Sequence, residues 1–180
     1  MLTLVTGYSK NLSKLFNEVM PWNYAIYSRK RNMKPVVRAT SPIRISSQLK
    51  TTNCEIATAL NRSQDPYFLI RKVYEKLING NEGYDLMIPD FRFPEEYEFL
   101  NKKGKKMQTI RVFESLKIVD VESKNMFQTE HELHDFETDF LFIPENNHKK
   151  RFLEALTIFP QYKNFKYLSY KPFDNFKNQY

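Results

Sequence analysis

Residues 86–113 read LMIPDFRFPEEYEFLNKKGKKMQTIRVF, and their order of apolar and polar blocks decides the fold class. The apolar run Tyr84 to Ile88 stops at Pro89-Asp90. Pro94 then fits the first position of a helix, where its missing N–H would have no partner anyway. Glu95 and Glu96 in the first turn and lysines in the last complement the helix dipole, and Gly104 is a suitable stop. Gln108 to Phe113 reads as the next strand. Strand, helix, strand, with no wet face on either strand, predicts a parallel sheet covered on both sides.

The same alternation extends outward. Leu2 to Thr6 reads as a buried strand and Asn11 to Met20 as the helix after it. Tyr24 to Tyr27 and Val36 to Ala39 read as short strands, and Ser41-Pro42 as a helix start. Asp65-Pro66 supplies an N-cap and a first-turn proline, and Asn79-Gly80 a stop. Between them Phe68, Ile70, Val73, Tyr74 and Leu77 mark one apolar side. Asp139 to Ile143 is a further strand. Asn147 to Phe159 is a helix with Phe152, Leu156 and Phe159 on one side. The expected architecture is α/β, a three-layer αβα arrangement with a mainly parallel sheet over residues 1–160. An aromatic and basic tail, residues 161–180, is expected to pack on that domain or on a partner.

Composition narrows the function classes. The 180 residues are 41% hydrophobic and include one cysteine, Cys54, so no internal disulfide can form and a reducing compartment is expected. No apolar segment reaches membrane-spanning length, and no basic region precedes the short apolar run at the N-terminus. A cytoplasmic protein with no membrane partner is the expectation. A net charge of +7 suits anionic partners, nucleotides or nucleic acid. No G-x-S-x-G or Ser/His/Asp arrangement motivates a hydrolase.

His131 and His134, flanked by acids, have the H-x-x-H spacing of a metal pair. They lack a third ligand, and a solvated acidic loop is the better reading. In the tail, Lys163, Lys166, Lys171 and Lys177 alternate with aromatic rings. That pattern suits stacking on single-stranded nucleic acid or clamping the C-terminus onto the domain or a sister subunit in a homodimer. Packing is the favoured reading.

In parallel sheets, ligands sit beyond the carboxyl ends of the strands. That rule directs attention to residues 6–14, to Asp90–Arg92 and to the segment after Phe113. Arg92 is suited to bidentate contact with a phosphate, and Asp90 to Mg²⁺ or an arginine. Spacing alone equally fits an Asp–Arg pair that fixes the strand-to-helix corner. Residues 5–14, VTGYSKNLSK, outline a phosphate-binding loop. The working pattern is G-x-x-x-x-G-K-[ST]. Counted from Gly7, its last three positions hold Leu12, Ser13 and Lys14. With one residue inserted, Ser13-Lys14 would stand for Gly-Lys.

The segment IPDFRFPEEYEFLNKKG resembles the "D-V-R-F-x-N-E" stretch of phage and viral deoxynucleoside monophosphate kinases, with Asp90, Arg92, Phe93 and Glu96 in matching positions. DPYFLIRKVYEKL is similar to the helix before it, TEHELHDFETDFLFIPENN to the "H-x-S-E-x-x-L" stretch, and VVRATSPIRI to the "S-F-A-D-P-L-K" segment. The similarity runs from about Val36 to Phe159. It implies a P-loop nucleoside monophosphate kinase-like fold and transfer of the ATP γ-phosphoryl to a deoxynucleoside monophosphate, with ATP and Mg²⁺ as cofactors. It also hints at a viral source and a host cytoplasm. Lys14, Asp90 and Arg92 would be catalytic, and Asp90 would serve the Mg²⁺ held through the nucleotide. Gly7, Lys10, Ser13 and Lys14 would hold ATP, and Arg38, Arg44 and Glu96 would bind the acceptor. Arg62, Arg71 and Arg111 are compatible with such a charge pattern. The chain departs from the family at Leu12, where the second glycine should be. The alternative is therefore a catalytically inactive relative that binds protein or nucleic acid.

Overall fold

The computed structural model describes residues 1–8, 24–36, 41–43, 45, 54–81, 83–119 and 132–168. Its central strand is β1 (Leu2–Tyr8). β2 (Tyr24–Ser28) and β3 (Ser41–Pro42) follow in the chain, then β4 (Leu86–Ile88), β5 (Met107–Phe113), β6 (Phe140–Pro144) and β7 (Lys166–Leu168). The seven strands form one sheet in the order β3-β4-β1-β5-β6-β2-β7. β1 pairs in parallel with β4 and β5, β3 with β4, and β5 with β6. β2 is antiparallel to both β6 and β7. The sheet is therefore mixed, and β2 and β7 form an antiparallel margin.

The helices are α1 (Cys54–Gln64), α2 (Phe68–Val73), α3 (Pro94–Lys102) and α4 (His148–Ile158). α2 widens into a π-helical stretch, Tyr74–Ile78, in which Asn79 N–H donates to the Tyr74 carbonyl at 2.7 Å. α3 agrees with its sequence signals: Pro94 is at its start, and Gly104 lies beyond its end at φ 68°. α4 follows Asn147, which is left-handed at φ 60°.

Strand alternation sorts the core by face. Leu2, Leu4, Leu86 and Ile88 face α2 and α3 and cluster with Leu69, Ile70, Val73 and Leu100. Farther along the same face, Ala25, Tyr27, Phe113, Leu141 and Ile143 meet Ala155 of α4 and Phe159 just past its end, with Tyr162 behind them. The opposite face carries Val5, Ile110, Val112, Phe140 and Phe142, all buried. Among the described residues its cover comes from the segment ending at Val36. The Gln108 side chain pins that segment by accepting from Val36 N–H at 3.0 Å and donating to Val36 O at 2.9 Å. The helix expected over 11–20 lies outside the described residues, as does 37–39 of the strand expected at 36–39.

Several expectations are corrected. Ser41-Pro42 is not a helix start but edge strand β3, with Ser41 opposite Leu86 and Pro42 opposite Met87. Proline is tolerated there because an edge strand leaves one side without ladder bonds. Asp65-Pro66 does not begin its helix directly. Asp65 Oδ1 instead accepts from Tyr67 N–H at 3.0 Å in a turn, and the helix begins at Phe68. Tyr84 lies outside β4 and is 67% exposed. The helix α1 gave no sequence signal that was read, and the antiparallel margin was not foreseen. The first residues of the tail are integral to the sheet: Tyr162 is fully buried and β7 extends the antiparallel margin.

Candidate functional site: the corner after β4

The chain enters β4 on one side of β1 and leaves α3 to enter β5 on the other, so strand order reverses around β1. Crevices at such reversals, beyond the carboxyl ends, are the ligand sites of open α/β sheets. The corner 89–93 lies at this edge. Phe91 N–H donates to Val5 O at 3.1 Å, which fastens the corner to the middle of β1, three residues before that strand ends. Phe91 itself is buried in the core under α2 and α3.

Asp90 Oδ1 accepts from Ile45 N–H at 2.9 Å, which joins the corner to the segment after β3. Glu96 is 3% exposed, and its Oε2 accepts from the backbone N–H groups of Arg92 at 3.1 Å and Phe93 at 3.3 Å. These donors precede the helix, so the carboxyl group reaches back as in one half of a capping box. Burial, reinforced by the nearby Asp90 charge, raises the Glu96 pKa to about 8 against the opposing pull of its backbone donors and Arg62. Glu96 is thus largely protonated at neutral pH.

Arg62, from the last turn of α1, completes the corner. Its guanidinium carbon lies 3.3 Å from the Phe93 ring centroid, and Nη2 bonds Glu95 Oε2 at 3.1 Å. Sequence reading counted Arg62 only among compatible arginines. The signal that could have singled it out was helix α1, which would have brought a cation to the acidic start of α3. With Glu96 protonated, the corner's segments carry the cations Arg62 and Arg92 and the acids Asp90 and Glu95, two charges of each sign. The described residues therefore make a balanced corner. Lys10, Ser13, Lys14, Arg38 and Arg44 lie outside the described residues.

Gly7 is described, and it sits within β1 opposite Val112 at φ 123°. A Cβ there would stand 2.7 Å from Val112 N and 2.9 Å from Val112 C, an overlap with backbone that cannot move aside. Glycine is required at this position by strand packing and backbone conformation.

Arg111, one of the arginines compatible with the charge pattern, is committed elsewhere. It is 2% exposed and donates to the carbonyls of Leu133, His134 and Phe136, with Phe159 4.4 Å beneath its guanidinium. It staples loop 132–138 over the sheet. Phe136 of that loop meets Phe91 edge-on at 5.3 Å and Tyr97 at 5.6 Å, so the loop caps the corner from above. The His134 carbonyl accepts from Arg111 and Gln161, and its ring packs 5.2 Å from Phe159. No cluster of metal-ligating side chains occurs among the described residues. His131 lies outside them. No described helix is long and apolar enough to cross a membrane.

Comparison with protein-family models and with curated proteins finds no match to this chain.

Proposed function

We propose that this chain is a deoxynucleoside monophosphate kinase-like protein that moves the ATP γ-phosphoryl to a deoxynucleotide. The observation that carries the reading is the bond from Phe91 N–H to Val5 O, which joins the Asp90–Arg92 corner to the middle of β1. β1 ends three residues later at Tyr8, and Lys10, Ser13 and Lys14 follow in the sequence. The strand order β3-β4-β1-β5-β6, parallel throughout with β1 at its centre, supports a P-loop kinase-like arrangement in which the loop after the central strand takes phosphate. Lys14 and Lys10 hold ATP phosphates, and Arg92, Arg38 and Arg44 hold the acceptor phosphate. Asp90 supplies a hard oxygen donor of the kind Mg²⁺ takes, and bound Mg²⁺ would neutralise charge on the phosphates. Glu96, protonated and buried, fixes the corner through the Arg92 and Phe93 backbone.

The second reading, an inactive relative, is favoured by Gly7 and Leu12. β5 packing accounts for the glycine without any phosphate, and leucine stands where the second glycine belongs. An ATP-to-deoxynucleotide transfer assay over the four monophosphates decides between them. Turnover that is lost in Lys14→Ala supports the kinase. No turnover by a folded chain refutes it and leaves the inactive relative.

A further inference from the structure

The antiparallel margin carries a feature that a kinase site at the other side of the sheet does not use. Between β2, β7 and the first turns of α4 lies a cavity of about 480 Å³, lined by Tyr27, His148, Lys149, Phe152, Leu153 and Tyr167. β2 is four strand spacings from β4, roughly 19 Å, so this cavity is separate from the Asp90 corner.

Its inner wall is rigidly built. The Tyr27 ring stacks on Phe152 at 4.1 Å and 4°, and Tyr27 Oη lies 2.7 Å from His148 Nδ1. Burial pushes the Tyr27 hydroxyl up to about 12, so it keeps its proton. His148 in turn stacks on Tyr167 at 5.0 Å. The outer wall is open: Tyr167 is 51% exposed and Leu153 64%. Exposed aromatic and aliphatic surface at the mouth of an aromatic cavity is the kind of patch that marks where something binds.

Charge indicates what that is. The first turn of α4 contains no acid but carries Lys149 and Lys150, cations placed against the positive end of the helix dipole. Arg151 next to them bonds Glu154 at 3.4 Å. A phosphate backbone relieves that repulsion while its bases occupy the rings.

We propose that this cleft binds single-stranded nucleic acid, stacking an unpaired base on Tyr167 and His148 with Lys149 and Lys150 on the adjoining phosphates. The test uses the full chain and fluorescence anisotropy of a labelled 15-nucleotide oligothymidylate at several salt concentrations. Tyr167→Ala should weaken binding about 5- to 150-fold, the equivalent of one lost base–aromatic stack, whereas Tyr167→Trp should retain it. Lys149→Ala should reduce the salt slope by about 0.7. Leu153→Glu, at an exposed position with no structural burden, should weaken binding if Tyr167→Ala fails to fold. Lys76→Ala, on α2's π-helical extension, should change nothing.

Four outcomes overturn the proposal. They are no binding by the natural chain, binding indifferent to Tyr167 and Leu153, equal competition by a duplex, and equal competition by thymidine monophosphate at the same nucleotide concentration. Self-association abolished by Tyr167→Ala, without oligonucleotide binding, assigns the cleft to a second copy and also overturns it.

Discussion

Glu96→Gln isolates the electrostatics of the corner. The amide keeps the size of the side chain and an oxygen able to accept from Arg92 and Phe93 N–H, but it cannot ionise. In the natural chain burial raises the folded-state pKa of Glu96 from the ordinary 4.5 to about 8. Between those values the folded state holds a proton that the unfolded state has released. Stability from this group is therefore complete below about pH 4.5 and is lost as pH rises to about 8. The slope is about 1.4 kcal/mol per pH unit, and the whole interval amounts to about 5 kcal/mol, a ceiling because a buried carboxylate draws in water or shifts. Urea unfolding followed by circular dichroism at pH 5, 6, 7, 8 and 9 gives both stability curves. Their difference removes every other titrating group. Glu96→Gln should be close to the natural chain at pH 5 and more stable than it by several kcal/mol at pH 9. Parallel curves would refute the burial argument. So would a variant that loses ground as pH rises, which would mean that the ionised carboxylate is the stabilising form.

Other substitutions address other parts of the structure. Gly7→Ala forces a Cβ against the Val112 backbone at a positive φ, so it should lower stability by about 3 kcal/mol, read as a shifted urea midpoint. Arg111→Met removes the donors to three carbonyls of loop 132–138. It should cost about 3 kcal/mol and speed amide exchange at 133–136, and unchanged exchange would separate the loop from Arg111. Asp90→Asn keeps an acceptor for Ile45 N–H, so folding should persist. If Asp90 serves the metal, transfer should fall about 10- to 100-fold. Tyr27→Phe loses one hydrogen bond to His148 and should cost about 1 kcal/mol at neutral pH.

Much of the corner was legible because its determinants are local. Pro94, Glu95, Glu96 and Gly104 act within one helix, and each exerts its effect through backbone groups a few residues away. The same holds for the strand at 140–144, whose apolar run FLFI leaves few alternatives. The candidate site was only half legible. Asp90, Arg92 and Glu96 were identified, but the role of Glu96 was not, since a glutamate at a helix start is usually exposed and charged. Its burial follows from Phe91, Phe93 and Arg62 closing around it. The role of Arg111 was not legible for a related reason: an arginine within a strand carries no mark of whether it meets a phosphate or three carbonyls.

The sequence by itself determined the alternation of strands and helices, the break at Pro89-Asp90 and the end of α3. These depend on hydrogen bonds and dipoles spanning a single turn. Tertiary structure alone decided that Ser41-Pro42 is an edge strand, that β2 and β7 run against their neighbours, and that Tyr27, His148 and Tyr167 line one cavity. Those outcomes depend on pairings between residues 45 to 140 positions apart, such as Ser41 with Leu86 and Tyr27 with Tyr167. The free energy of such a pairing belongs to the contact, and neither partner carries it in its local pattern.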